Sequence, residues 1–342
     1  MATSRCKAIR SLTTFSFSTA LALLLVTSHI CTAQQITATP VENNFHNEPD
    51  KSIVLNVTVT NERGHFIAGL GKANFTLYDG KAPQEFTFLG RKDVPVSVNI
   101  LLDISGSINE DRSMKKVGFI KDALSAFIKA SNSSNEYFLT VFSSTAQVIG
   151  GAHTAETVLA DADKILSARF HGQTAFYDAC FTGIEQVMRG VHSKRVVFVI
   201  SDGEDNRSQH KFKDVLRLLK DTNVILYAVN VVSDGNKKYP LAEEGHHHLQ
   251  ELARASGGIV YIPTKIEDIN LMAEYIAEEL RKQYALSFNP ARDANGKEWH
   301  RLEVKATLPP ESHLKVKRTV VRTREGYFGR RIVPYFHIAC TD

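Results

Sequence analysis

The stretch Val96-Ser97-Val98-Asn99-Ile100-Leu101-Leu102 runs straight into Asp103-Ile104-Ser105-Gly106-Ser107. Its first seven residues are an almost unbroken apolar run, the pattern of a strand covered on both faces by helices. A strand with one wet face would alternate instead. The polar residues begin where that strand ends. Two hydroxyls two residues apart can point the same way if the loop is extended, and Gly106 between them lets the backbone approach closely.

Outward from this stretch the grammar is strand, helix, strand, helix. Val117, Ile120, Leu124, Phe127 and Ile128 follow at helical spacing. Further buried strands are expected at Tyr137 to Phe142, Val196 to Ile200, Val224 to Val232 and Ile259 to Ile262. Helical segments fall near 155 to 168, 175 to 189, 210 to 221, 247 to 256 and 266 to 283. That alternation implies an α/β fold with an open, doubly wound, mostly parallel sheet of Rossmann-like kind. In such sheets ligands bind at the carboxyl edge of the strands, where loops diverge. The strand Val196 to Ile200 leads there into Ser201-Asp202-Gly203-Glu204-Asp205, so two carboxylates leave two apolar strands at one edge. Either alone can merely cap the next helix. With the serines they form a set of hard oxygen donors suited to Mg2+ or Mn2+ and poorly suited to a thiophilic metal.

Asp103-x-Ser105-x-Ser107 resembles the metal-ion-dependent adhesion site (MIDAS) of von Willebrand factor type A domains. Gly172-Gln173-Thr174-Ala175 is similar to the second loop of that site, and Ser201-Asp202-Gly203 to its third. The resemblance covers about 95 to 285. It implies that Asp103, Ser105, Ser107, Thr174 and Asp202 hold the cation. In that scheme the hydroxyls of Ser105, Ser107 and Thr174 are ligands, while Asp103 and Asp202 act partly through water and orient them. Neutral ligands leave the cation under-neutralised, so the implied partner is a protein presenting an Asp or Glu carboxylate. The family also implies coupling from the site to the helix over Ile266 to Gln283.

Strand grammar brackets the α/β region. Ile53, Leu55, Val57 and Val59 alternate with polar or outward positions, and Phe75 to Tyr78 and Asp79-Gly80 add a strand and a turn. Tyr284 to Phe288, Trp299 to Thr307 and Leu314 to Val321 follow at the other end. These strands lack helices of their own, so they are expected to pair with residues 51–92 as a small β module. The organisation is therefore a signal at 1–33, a linker at 34–50, a strand module at 51–92, the α/β domain at 93–283, a pairing β segment at 284–329 and a tail at 330–342. The motifs Phe75-Thr76-Leu77-Tyr78-Asp79-Gly80 and Arg324-Glu325-Gly326-Tyr327-Phe328 resemble the flanks of a bacterial secreted subgroup of the family, of acidobacterial type.

Hydrophobic residues at 43% and charged residues at 23% are ordinary for a folded chain and exclude wholesale disorder. Arg5, Lys7 and Arg10 precede an apolar stretch at Leu21 to Val26 and the small residues of Cys31-Thr32-Ala33, the pattern of a cleaved secretory signal. The apolar part is shorter than the roughly 20 residues a membrane span needs. An uncleaved signal would be the sole membrane contact. Secretion or a periplasmic location follows. Losing three cations brings 41 Lys and Arg close to 37 Asp and Glu, and near balance argues against a nucleic-acid partner. The basic cluster of Lys315, Lys317, Arg318, Arg322, Arg324, Arg330 and Arg331 reads as a solvated face. Cys180 and Cys340 are too few for a disulfide framework, and Cys180 reads as a small packed helical residue.

Rival functions are weaker. No G-x-S-x-G elbow, phosphate-binding loop or dinucleotide turn is present. A metal-dependent hydrolase using the same site is the main alternative, with Asp178, Glu204 and Asp205 as bases. For those three, helix-end and surface roles are expected instead. A structural envelope protein with a vestigial site is the other alternative. His246-His247-His248 point in different directions at an expected helix start and do not form a second metal site.

Overall fold

The computed structural model describes residues 52–109, 115–168, 171–231, 240–290, 298–308 and 318–328. The expected signal at 1–33, the linker at 34–50 and the tail at 330–342, with Cys340, lie outside the described residues. The described residues all belong to one compact unit.

The described chain enters through strands β1 (Ile53–Asn61), β2 (Phe75–Asp79), β3 (Ala82–Gln84) and β4 (Thr87–Gly90). It continues through β5 (Val96–Asp103), α1 (Lys115–Ala130), β6 (Glu136–Phe142), β7 (Ala146–His153), α2 (Ala155–Leu166) and α3 (Phe176–Val187). Next come β8 (Lys194–Ser201), α4 (Phe212–Asp221), β9 (Val224–Asn230), α5 (Pro240–Ser256), β10 (Val260–Tyr261) and α6 (Ile269–Lys282). The last strands are β11 (Tyr284–Phe288), β12 (Trp299–Ala306), β13 (Thr319–Arg322) and β14 (Gly326–Phe328).

The central sheet has the order β10-β9-β8-β5-β6-β7. Every β5 residue is buried, because α1, α2 and α6 cover one face and α3, α4 and α5 the other. All its pairings are parallel except that of β7, which runs antiparallel to β6 at the edge. From β5 the chain proceeds to β6 on one side, and from β8 to β9 on the other. The crevice where the winding reverses therefore lies between the carboxyl ends of β5 and β8, the position that favours a ligand.

Two antiparallel sheets, β13-β1-β11-β4 and β14-β12-β2-β3, enclose a third core. β1 pairs with β11 and β13, and β2 with β12, so strands from both flanks of the α/β region share these sheets. The expected strand Leu314 to Val321 is described from Thr319, and it continues to Arg322.

The solvated-face reading is wrong for Arg322 and Arg324. Arg324 is 8% exposed and donates to the carbonyls of Lys220, Thr222 and Gly326 at 2.9, 3.0 and 2.7 Å. It thereby satisfies carbonyls at the end of α4, which a helix leaves without internal partners. Burial lowers its pKa to about 10, against the pull of Asp221. Arg322 meets Glu279 of α6, which is 1% exposed. Glu279 also accepts from Thr58 Oγ1 at 2.9 Å and Tyr227 Oη at 2.6 Å. Burial opposes the Arg322 charge, but Glu279 beside it keeps the guanidinium pKa above its usual range. Lys315, Lys317, Arg330 and Arg331 lie outside the described residues.

Candidate metal centre

Three loops meet at the crevice. The first leaves β5 at Asp103 and turns through a short 3-10 segment, Gly106–Asn109. Ile104 N–H donates to Phe142 O at 2.8 Å, holding the loop to β6, and Gly106 N–H donates to Gly172 O at 3.1 Å, tying it to the second loop. Gly172 has φ +115°, and a Cβ there would lie 2.7 Å from Ser144 Oγ. Glycine is thus required by both conformation and space. Ala175 N–H donates to Ser143 O at 2.7 Å as α3 begins.

Asp103 is fully buried. Its Oδ1 accepts from Ser105 N–H at 2.9 Å and its Oδ2 from Ser201 Oγ at 2.7 Å. Burial first, and the Asp202 carboxylate second, push its pKa from 3.8 up to about 6, against hydrogen bonds from Ser105 and Ser201 that favour the anion. Asp103 and Asp202 are thus electrostatic neighbours of like sign. Ser105 is 1% exposed and Thr174 4%. The backbone of Ser107 lies in the 3-10 turn, and its side chain is outside the described residues.

The third loop begins at Asp202, whose Oδ1 accepts from Glu204 N–H at 3.2 Å. Its carbonyl accepts from Asn230 Nδ2 at 3.3 Å, and Asn230 Nδ2 also lies 3.3 Å from His246 Nδ1. Ser201, Asn206 and Asn230 were not singled out by sequence reasoning. Ser201 had a local signal, a hydroxyl adjoining the strand-end acid. Asn206 and Asn230 act through contacts remote in sequence and had none.

Asp178 and Asp205 serve the amino end of α3 and the loop beside it. Asp205 Oδ1 accepts from Tyr177 N–H at 3.3 Å, and the Asp178 carboxylate accepts from the N–H groups of Gln209 and His210 at 3.0 and 2.9 Å. Those backbone bonds, with the His210 ring, lower the Asp178 pKa despite burial. The histidine run is not at a helix start, because α5 begins at Pro240, where a missing N–H costs nothing. His246 faces Asn230, and His248 Nδ1 pairs with Tyr177 Oη at 2.7 Å. Cys180 is buried on α3 and free.

A close glycine contact seats α5 on the third loop. A Cβ on Gly245 would lie 2.4 Å from Gly203 O, and Gly203 has φ +79°. Gly245→Ala is expected to destabilise the protein by about 1–3 kcal/mol despite alanine's better helix propensity. Urea unfolding checks this, and a neutral or stabilising effect would contradict the contact.

The donor set fits a hard divalent cation. Two like-charged carboxylates beside buried hydroxyls is an arrangement that positive charge relieves. Among the described residues no group of three or more His, Cys, Asp or Glu is placed to hold a metal, so a cation here draws on hydroxyl oxygens as well.

An oxygen-donor crevice at the switch point of a doubly wound sheet lies where α/β domains of this kind take ligands. The family model of the von Willebrand factor type A domain matches residues 97–274, more than half of the chain, and the chain belongs to this family. No match was found among curated protein sequences. Solved structures similar to it include a von Willebrand factor type A protein from Catenulispora acidiphila, at 15% identity and TM-score 0.46, over 83% of this chain and 65% of that one. Proximal thread matrix protein 1 from the mussel byssus matches at 16% and 0.48, over 60% and 51%. Its form with a zinc-occupied MIDAS motif matches at 16% and 0.47, over 58% and 50%. The chain thus spans about half the length of the mussel protein.

Proposed function

We propose that the protein binds a partner protein by its Asp or Glu carboxylate, through Mg2+ or Mn2+ held by Asp103, Ser105, Ser107, Thr174 and Asp202. The observation that carries this reading is the fully buried Asp103 carboxylate, held by Ser105 N–H and the Ser201 hydroxyl with Asp202 as a neighbour of like charge. When bound, the cation supplies an open electrophilic position for an acidic oxygen. Asp103 orients the first loop through its bond to Ser105 N–H and is itself oriented by Ser201. Asn230 steadies the Asp202 backbone.

Binding rather than catalysis is favoured because two of the three candidate bases, Asp178 and Asp205, accept from backbone and hydroxyl donors around α3. The reading places the protein outside the cytoplasm, on the charged, apolar and small-residue pattern of residues 1–33. The resemblance of the flanking motifs Phe75-Thr76-Leu77-Tyr78-Asp79-Gly80 and Arg324-Glu325-Gly326-Tyr327-Phe328 supports including a bacterial secreted subgroup in this reading. No helix among the described residues is long and apolar enough to cross a membrane.

Saturating Mg2+ or Mn2+ is expected to stabilise the protein by about 2.7 kcal/mol at a hundred times Kd, read as a rise in Tm over the chelated sample. An unchanged Tm with both ions would overturn the metal assignment. A pull-down with Mg2+ and with chelator then tests the partner, which should be captured only with metal.

A further inference from the structure

The short segment after Asp202 is laced to the start of α3. The helix begins at Phe176 without a side-chain cap from its own Ala175. Instead Tyr177 N–H donates to Asp205 Oδ1 at 3.3 Å, and Asp178 N–H to Ser208 Oγ at 3.0 Å. Ser208 Oγ in turn donates to Asp205 Oδ1 at 2.5 Å. Donors that a helix leaves open at its amino end are thus satisfied from another loop.

Asn206 sits inside this lacing and reaches one residue of the metal site. Its Oδ1 accepts from Thr174 N–H at 2.8 Å, and its own N–H donates to Thr174 O at 3.0 Å. Both backbone polar groups of Thr174 are therefore fixed by one residue 32 positions away. The third loop thus holds the second loop at Thr174, whose hydroxyl is one of the proposed ligands. An amide oxygen is a neutral acceptor for this task, so it adds no third carboxylate beside Asp103 and Asp202.

We propose that Asn206 is a positioning residue of the metal centre: its side-chain oxygen sets the Thr174 backbone and so aligns the Thr174 hydroxyl for the cation. This rests on the divalent-cation reading of the site. Groups that orient metal ligands typically govern metal affinity by about 10- to 100-fold.

The test is Mn2+ titration of the full chain by calorimetry, with Tm in chelator measured alongside. Asn206→Ala should raise the Mn2+ Kd by about 10-fold or more, out of proportion to any change in chelated Tm. Asn206→Asp, which keeps an acceptor oxygen at the same reach and adds a negative charge that favours the cation, should bind Mn2+ no more than about threefold more weakly than wild type, since the bond to Thr174 N–H survives. If the alanine variant does not fold, Asn206→Gln displaces the oxygen by one methylene while keeping the amide, and the same loss is expected. Wild-type affinity in the alanine or glutamine variant, or equal losses in the alanine and aspartate variants, would overturn the proposal. Absence of Mn2+ binding by wild type would instead overturn the reading of the site on which it rests.

Discussion

Arg322→Ala is expected to destabilise the protein by about 3–5 kcal/mol, because it leaves the buried Glu279 carboxylate without its paired guanidinium. Glu279 is 1% exposed, and after the substitution its remaining donors are the Thr58 and Tyr227 hydroxyls. Two neutral donors do not balance a carboxylate anion in the interior. The diagnostic variant is Arg322→Ala combined with Glu279→Gln. The amide keeps an acceptor for both hydroxyls and removes the charge, so the pair should recover more than half of the loss. Urea unfolding at pH 7 reads both effects. A single-variant loss below about 1 kcal/mol, the range of an exposed ion pair, would show that water reaches Glu279.

The same network shows why the β module is not an accessory hung on the α/β domain. Thr58 on β1, Arg322 on β13, Tyr227 on β9 and Glu279 on α6 share one carboxylate oxygen. Gln283 Nε2 donates to both Thr58 Oγ1 and Tyr227 Oη at 3.0 Å. Each hydroxyl thus accepts one bond and donates another, which polarises the chain of bonds toward the carboxylate. Lys194, at the start of β8, adds a bond of 2.6 Å to Leu280 O near the end of α6. Burial lowers its pKa to about 7 against the pull of Glu279 and Asp93.

Periodicity made the central sheet legible because burial on both faces leaves a continuous apolar run, as in Val196 to Ile200. It failed for β7, whose Ala146-Gln147-Val148-Ile149-Gly150-Gly151 alternates poorly and is mostly exposed at the sheet edge. Edge strands need little apolar surface, so their signal is weak. Arg322 and Arg324 were misread for a different reason. Residue spacing registers which side chains share a face, but not that α4 and α6 supply carbonyls and a carboxylate to meet them. At the site, Asp103, Ser105 and Asp202 were readable because each lies at or just beyond the end of an apolar strand. Asn206 was not, since its role depends on where a loop 32 residues earlier comes to rest.

Asp103→Asn is expected to stabilise the chelated protein at pH 7 while abolishing its response to Mg2+. The folded state raises the Asp103 pKa from 3.8 to about 6. An acid with a raised folded pKa binds more protons folded than unfolded, so stability falls as pH rises through that window. The contribution is fully present below about 4, is lost progressively up to about 6, and stays lost above it. At about 1.4 kcal/mol per pH unit the penalty at neutral pH is on the order of 3 kcal/mol. Asparagine carries no such penalty. Its Oδ1 can still accept from Ser105 N–H, and its Nδ2 can donate to Ser201 Oγ, which rotates to accept. In chelator the variant should therefore exceed wild type by up to about 3 kcal/mol at pH 7, with the difference vanishing near pH 4. In Mg2+ the order should narrow or reverse, because only wild type offers the anion that a cation stabilises. Urea unfolding across pH 4 to 7, with Mg2+ and with chelator, measures all four curves. A difference in chelator that does not change with pH would place the Asp103 charge in a solvated setting. An equal Mg2+ response in the two proteins would remove Asp103 from the site.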